Sequence, residues 1–302
     1  MTADLRFDGR VAIVTGAGGG LGRSHALALA ARGAAVVVND LGGSVHGQGG
    51  SNSAAQRVVD EIKALGASAV ADFSDISTAQ GAQALIDTAL GAFGQVDALI
   101  NNAGFLRDKS LVKMDPADFE AVVRVHLIGS ALCSRAVWPV FQARNYGRIV
   151  MTTSAAGLYG HFGQSNYASA KMGLLGLMNT LKDEGAKHTI RVNAVAPVAL
   201  TRMTEGLTVS RWMHQASPEK VSAVVVYMAS HACVSSGHIV AAGAGRFAGV
   251  QVVEARGVQA PPDSVTAEFV AEHWSRIHDM AGARPFANAT QALVDTYGAE
   301  QP

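Results

Sequence analysis

Apolar residues fall into two kinds of run along this chain. Short, nearly unbroken β-branched runs at 11–14, 35–38, 68–71, 98–100, 148–151, 191–195 and 238–240 alternate with longer Ala/Leu-rich segments. The short runs read as parallel strands buried on both faces. The longer segments predict helices over about 21–32, 53–65, 78–93, 116–143, 166–187 and 218–230. Seven strands interleaved with helices imply an α/β fold, one open doubly wound parallel sheet whose right-handed crossovers place helices on both faces.

Two stretches interrupt this alternation. Segment 41–52 is a Gly/Ser-rich loop with five glycines directly after the second strand. From Arg246 onward comes a tail with Pro261-Pro262 and a helical stretch near 265–280. The expected organisation is a nucleotide-binding domain over 1–245 and a C-terminal helical extension over 246–302 packed on it. No fixed-period repeat is present.

The first strand runs into Thr15-Gly16-Ala17-Gly18-Gly19-Gly20-Leu21-Gly22 and then a helix. Gly16 permits a tight turn. Gly20 and Gly22, flanking Leu21, let the backbone approach a pyrophosphate, and the helix start offers free N–H groups and a positive dipole end. In strand–turn–helix context this is the fingerprint of a Rossmann-type dinucleotide site. Asp40 ends the second strand, where its carboxylate can accept both adenosine ribose hydroxyls. A 2′-phosphate there would meet like charge, so NAD is expected rather than NADP. After the third strand, Asp75 with its neighbour Ile76 is placed to meet adenine, with Asp72 as a rival; either carboxylate can instead cap the following helix. Asn102, Ala103 and Gly104 end the fourth strand and suit backbone contact with a cofactor ribose.

Tyr167 and Lys171 stand at i and i+4 on one predicted helix and share a face. Ser154 lies thirteen residues earlier, after the fifth strand. A phenol titrates near ~10 and needs help to act as a base at neutral pH. The Lys171 ammonium and a nicotinamide ring are expected to favour the phenolate. Ser154 can hold the substrate oxygen as charge moves there.

Together these residues resemble the short-chain dehydrogenase/reductases, over roughly Phe7 to Gly245. The resemblance implies Ser154, Tyr167 and Lys171 as a catalytic trio. It places Asn193, Pro197 and Thr201 in the segment after the sixth strand that grips the nicotinamide amide. Three departures stand out. His126 occupies the place of an Asn that usually serves a proton relay, and could serve that relay or bond only locally. Pro197-Val198 replaces Pro-Gly, and Ala242-Gly243-Ala244-Gly245 replaces a late Asp-Gly-Gly. Val38-Asn39-Asp40-Leu41-Gly42-Gly43, Val125-His126-Leu127, Tyr146-Gly147-Arg148-Ile149 and Tyr159-Gly160-His161-Phe162-Gly163-Gln164 are similar to one subgroup, the (3R)-hydroxyacyl-CoA dehydrogenase portion of peroxisomal multifunctional enzymes of type 2. Thr266-Ala267-Glu268 through Trp274 and Ala283-Arg284-Pro285 agree with that portion's end.

The implied reaction is NAD-linked oxidation of a (3R)-hydroxyacyl-CoA, with hydroxysteroids or small carbonyls as the alternative substrates. A nucleotide-sensing protein without turnover is a third reading, disfavoured by the intact trio. Segment 200–216 is expected to form a substrate lid, with Met203, Leu207, Trp212 and Met213 either facing an apolar guest or packing the lid on the body, and with Arg202 and Arg211 read as solvated surface charge, contact with CoA phosphates being the alternative. A homodimer or homotetramer is also implied.

Bulk composition excludes other classes. The 302 residues carry 24 Lys and Arg against 24 Asp and Glu. A net charge of zero removes any global attraction to nucleic acid or anionic membranes. Cys133 and Cys233 are expected as reduced core thiols. No export signal is read at the start, no segment near the ~20 apolar residues of a membrane span, no metal site, and no peroxisomal tripeptide at the end. The expected setting is cytoplasmic.

Overall fold

The computed structural model describes residues 5–44, 46–47, 49, 51–199 and 215–297. All seven anticipated strands form: β1 (Val11–Thr15), β2 (Ala35–Asn39), β3 (Ala69–Asp72), β4 (Ala98–Asn101), β5 (Gly147–Thr152), β6 (Ile190–Val198) and β7 (Ile239–Gly243). They pair in parallel in the order β3-β2-β1-β4-β5-β6-β7. An eighth strand, β8 (Arg246–Val250), borders β7. The chain enters it through Ala244 (φ 51°) and Gly245 (φ 85°), a two-residue link with both φ positive. Its residues are half-buried or exposed, so no continuous apolar run announces it.

Every residue of β1, β4 and β5 is buried, as strands covered on both faces require. Helices α1 (Gly20–Ala30), α2 (Ser53–Ala64) and α8 (Pro218–Ala229) join one continuous core. Leu29 of α1 and Ile62 of α2 are fully buried there, worth roughly 1.5–3 kcal/mol each. Helices α3 (Ala79–Phe93), α5 (Ser130–Arg144) and α7 (Ser165–Glu184) pack with α4 (Pro116–Val123) as a second group. The connections leave β1 and β4 in opposite directions, which opens a crevice at the carboxyl ends of the central strands.

The helix expected over 116–143 forms with an internal irregularity. Asp115 caps it, accepting from the Ala117 N–H at 2.8 Å, and Pro116 starts it. A π-helical turn at Arg124–Gly129 then separates α4 from α5. Taken as one body, Pro116–Arg144 is long and apolar enough by length and composition to cross a bilayer, which corrects the reading that no segment approaches that length. It packs along α3 and α7. A short helix, α6 (Ala155–Tyr159), precedes α7 and was not anticipated. Cys133 and Cys233 are free and buried.

The chain divides into two compact units, one ending at Gly249 and the other beginning at Val250. The first thus takes in β8 up to Gly249, four residues past the boundary read from the sequence, and leaves its last residue, Val250, to the second. The second contains α9 (Ala267–Ile277), capped by Thr266, and α10 (Ala289–Tyr297), with an antiparallel bridge between Glu254 and Arg284.

Candidate active site

The glycine turn is built by close approach of two strand ends. A Cβ at Gly16 would lie 2.6 Å from the Ala103 Cα, and one at Gly22 would lie 2.2 Å from the Gly16 carbonyl oxygen. Asn102 Nδ2 donates to the carbonyls of Thr15 (2.9 Å) and Gly16 (3.1 Å). Thr15 Oγ1 accepts from the Asn102 and Ala103 N–H groups at 3.0 and 3.1 Å. These bonds staple the end of β4 to the turn after β1. Helix α1 starts at Gly20 without a side-chain cap, which leaves its first N–H groups free for a ligand.

Asp40 stands at the end of β2 as predicted. Its Oδ2 accepts from the Gly18 N–H at 2.7 Å and its Oδ1 from the Gly42 N–H at 2.6 Å. The two candidates after β3 separate cleanly. Asp72 is buried and committed to Asn39 Nδ2 (2.7 Å), Thr88 Oγ1 (2.9 Å), and both the N–H and hydroxyl of Ser74. Asp75 and Ile76 face the cleft. Helix α3 is capped by Thr78, not by either carboxylate.

At the chemical end, Tyr167 and Lys171 lie on α7, with the Lys171 Nζ 5.5 Å from the Tyr167 ring centre. Lys171 is buried and donates to the Thr152 carbonyl at 2.6 Å. Thr153 Oγ1 donates to the Lys171 carbonyl at 2.8 Å, tying α7 to the end of β5. Ser154 is the N-cap of α6 and accepts from the Ala156 N–H at 3.1 Å. Burial raises the Tyr167 phenol above its ordinary value, and a side-chain hydrogen bond with Ser154 only partly opposes this. Burial lowers Lys171 to about 7.

His126 lies in the π-helical turn, buried, its ring meeting the Tyr167 ring edge-on with centres 5.2 Å apart. Its Nε2 contacts the Phe105 main chain. A Cβ at Gly104 would lie 1.9 Å from the His126 Cε1, so this glycine makes room for the histidine.

One cavity of about 510 Å³ joins these parts. Gly16, Gly20, Leu21, Gly22, Asp40, Asp75, Ile76, Asn102, Ala103, Gly104, His126, Tyr167, Lys171 and Pro197 all line it. Ser154 does not, and reaches the site through Tyr167. Thr201 and the expected lid residues Arg202, Met203, Leu207, Arg211, Trp212 and Met213 lie outside the described residues. Asn193 is corrected: it is buried in β6, donates to the Ser235 carbonyl at 2.9 Å, accepts from the His238 N–H at 3.0 Å, and does not line the cavity. Sequence reasoning missed Thr15, Thr152, Phe105 and Arg57. The first two end strands that abut the cleft, a position that could have flagged them. The glycine loop also lines the cavity, through Gly42, Gly43, Ser44, Gly47, Gly49 and Ser51.

The cavity fits a dinucleotide. Its walls at the turn admit no Cβ, an acidic side chain stands at one end, and buried polar atoms without protein partners, His126 Nδ1 and Thr152 Oγ1, belong to wall residues at the other. The sequence profile of the short chain dehydrogenase family matches residues 10–212. The chain belongs to the short-chain dehydrogenase family. It is accordingly a nicotinamide-dependent oxidoreductase acting on a secondary alcohol.

Among curated short-chain dehydrogenase relatives, peroxisomal multifunctional enzyme type 2 of Drosophila melanogaster is 47% identical over 95% of this chain and 48% of its own length. Peroxisomal hydratase-dehydrogenase-epimerase of Saccharomyces cerevisiae is 46% identical over 96% of this chain and 32% of its own. The chain therefore spans half or less of these relatives. The solved full-length Drosophila enzyme superimposes with a TM-score of 0.81 at 39% identity, covering 97% of this chain and 50% of that one. A 7α-hydroxysteroid dehydrogenase complexed with NADH and 7-oxo glycochenodeoxycholic acid matches with a TM-score of 0.72 at 31% identity, over 82% of this chain and 96% of that one.

Proposed function

We propose that this short-chain dehydrogenase oxidises a (3R)-hydroxyacyl-CoA to the 3-ketoacyl-CoA with NAD, using Ser154, Tyr167 and Lys171. The observation that carries the reading is the single cavity whose wall runs from Asp40 and the glycine turn to Tyr167 and Lys171. The acyl-CoA class rests on the subgroup resemblance of the sequence, and a dehydrogenase reading agrees with the name of the yeast relative, a hydratase-dehydrogenase-epimerase. NAD rather than NADP is supported by the Asp40 carboxylate, which would oppose a 2′-phosphate.

When bound, NAD supplies the hydride acceptor and a positive ring. Tyr167, as phenolate, takes the hydroxyl proton of the substrate. With that proton on Tyr167, the carbon-bound hydrogen would pass as hydride to the bound NAD, leaving a ketone. Ser154 donates to the substrate oxygen. Lys171, fixed by the Thr152 carbonyl, holds a proton next to the phenol. Burial raises the Tyr167 phenol, and a positive ring beside it would favour the phenolate.

The second reading, a hydroxysteroid substrate, rests on the solved 7α-hydroxysteroid dehydrogenase. A panel of (3R)-hydroxyacyl-CoAs of graded length and free hydroxysteroids, each with NAD and NADP, tests both. The expected result is turnover of acyl-CoAs with NAD; turnover of steroids alone overturns the acyl-CoA reading. The two relatives are peroxisomal by name, so a peroxisomal setting stands beside the cytoplasmic one, and imaging a tagged chain in its own cell separates them. Light scattering in solution tests the implied dimer or tetramer.

A further inference from the structure

We infer that the glycine loop between β2 and α2 is a strap across the dinucleotide cleft, latched on Phe105 and Arg107, and that the dinucleotide enters and leaves only when this latch opens. The inference rests on the proposed reading of the cavity as an NAD site and adds a gate to it.

The strand order requires the crossing. β2, β1 and β4 stand side by side in that order. A loop that leaves β2 and touches the segment after β4 therefore passes the end of β1, where the glycine turn lies. The loop makes that reach. Arg107 Nε donates to the His46 carbonyl at 3.1 Å, and His46 Nδ1 lies 3.3 Å from the Leu106 carbonyl oxygen. Gly47 (φ 71°) sits so close to the Phe105 ring that a Cβ there would lie 2.7 Å from a ring carbon. One cavity is lined both by Gly16, Gly18 and Gly20 of the turn and by Gly43, Gly47 and Gly49 of the loop. A dinucleotide seated on the turn would therefore have the loop across it.

Root and tip of the loop are held differently. At the root, the Ser51 N–H donates to the Leu41 carbonyl at 3.0 Å and the Gly42 N–H to Asp40 Oδ1 at 2.6 Å. A Cβ at Gly42 would lie 2.0 Å from the Ser51 carbonyl oxygen, so the two ends are clasped as in an Ω-loop. The tip is held by two solvent-exposed polar contacts and the seat of Gly47 on the ring. Exposed contacts of this kind open at low cost. Gly49 (φ 73°) has open space where a Cβ would stand, so the backbone turns there without collision. The latch itself is anchored outside the loop. Arg107 Nη1 pairs with Asp118 of α4 at 3.0 Å, and the guanidinium lies 5.0 Å from the Phe105 ring centre. Arg107 does not line the cavity, so replacing it leaves the cavity wall in place.

A gate has a kinetic signature that a wall contact lacks. A latch that opens more often speeds entry and exit together and leaves the dissociation constant nearly unchanged, whereas a lost wall contact speeds exit alone. Stopped-flow mixing with NADH, followed by nicotinamide fluorescence, reads entry, and displacement of bound NADH by excess NAD reads exit. Arg107→Leu should raise both rate constants by about three- to tenfold, the worth of one hydrogen bond. Gly47→Ala, whose methyl meets the Phe105 ring at a backbone angle that favours glycine, should raise both as well. Unchanged or slower entry in Arg107→Leu overturns the strap, and faster exit with unchanged entry makes the loop a plain wall of the site. If Arg107→Leu does not fold, Gly47→Ala decides by the same two rates. A wild-type protein that binds no NADH would overturn the dinucleotide reading itself; NADH binding with entry unmoved by the substitutions overturns the strap alone.

Discussion

The Asp40 carboxylate accepts the Gly18 N–H at 2.7 Å, so the residue proposed to read a ribose also fixes the glycine turn proposed to hold the phosphates. Its other oxygen holds Gly42 at the root of the glycine loop. Asp40→Ala should therefore weaken NAD binding beyond the loss of ribose contacts. Hydrogen bonds to a charged group are worth about 1.5–3 kcal/mol, which predicts roughly ten- to a hundredfold weaker NAD and a smaller change for NADP. Fluorescence titration of both cofactors checks this; unchanged NAD affinity would count against the assignment.

Removing the phenol hydroxyl should separate chemistry from binding. Tyr167→Phe is expected to lower kcat by about a hundred- to ten-thousandfold, the range of general acid–base assistance, with the NAD dissociation constant nearly unchanged. Stopped-flow turnover alongside calorimetric titration reads both quantities. Retained turnover would remove Tyr167 as the base.

Buried ionisable groups set the response of stability to acid. His25 is fully buried, bonds Ser222 Oγ through Nδ1 at 2.8 Å, and is lowered to about 3 by burial. Unfolding lets it charge, so its contribution is complete above about 6.5 and is lost as pH falls toward 3, at up to about 1.4 kcal/mol per pH unit. Denaturant titrations at stepped pH should show a shallower acid slope for His25→Gln.

Lys171 acts on the alkaline side. Its folded value of about 7 lies below the ordinary 10.5, so its penalty on the fold is largest below 7 and is relieved as pH rises to 10.5. Cys133, raised to about 12 from 9.0, opposes this above pH 9. The stability difference between wild type and Lys171→Met should therefore shift in favour of wild type from pH 7 upward. A difference independent of pH would contradict the burial of a protonated amine.

A methyl group at Gly104 would collide with the His126 ring. Gly104→Ala should cost about 1–3 kcal/mol, the usual effect of overpacking, and lower activity with it. Thermal melts and assays on the same sample test whether the two losses travel together.

The sequence alone determined the alternating architecture, seven of the strands, the glycine turn, Asp40, and the pairing of Tyr167 with Lys171. These are local properties: a run of β-branched residues, a helix start, an i,i+4 spacing on one helix. Tertiary structure decided what depends on burial and on contacts between distant segments. It placed Asp75 on the cavity wall and committed Asp72 to Asn39, Ser74 and Thr88. It moved Asn193 from the site to a strand tie, placed a π-helical turn beneath His126, and brought the glycine loop to the cavity wall. It also buried the Tyr167 phenol, and desolvation depends on every neighbour at once, which no pattern along the chain encodes.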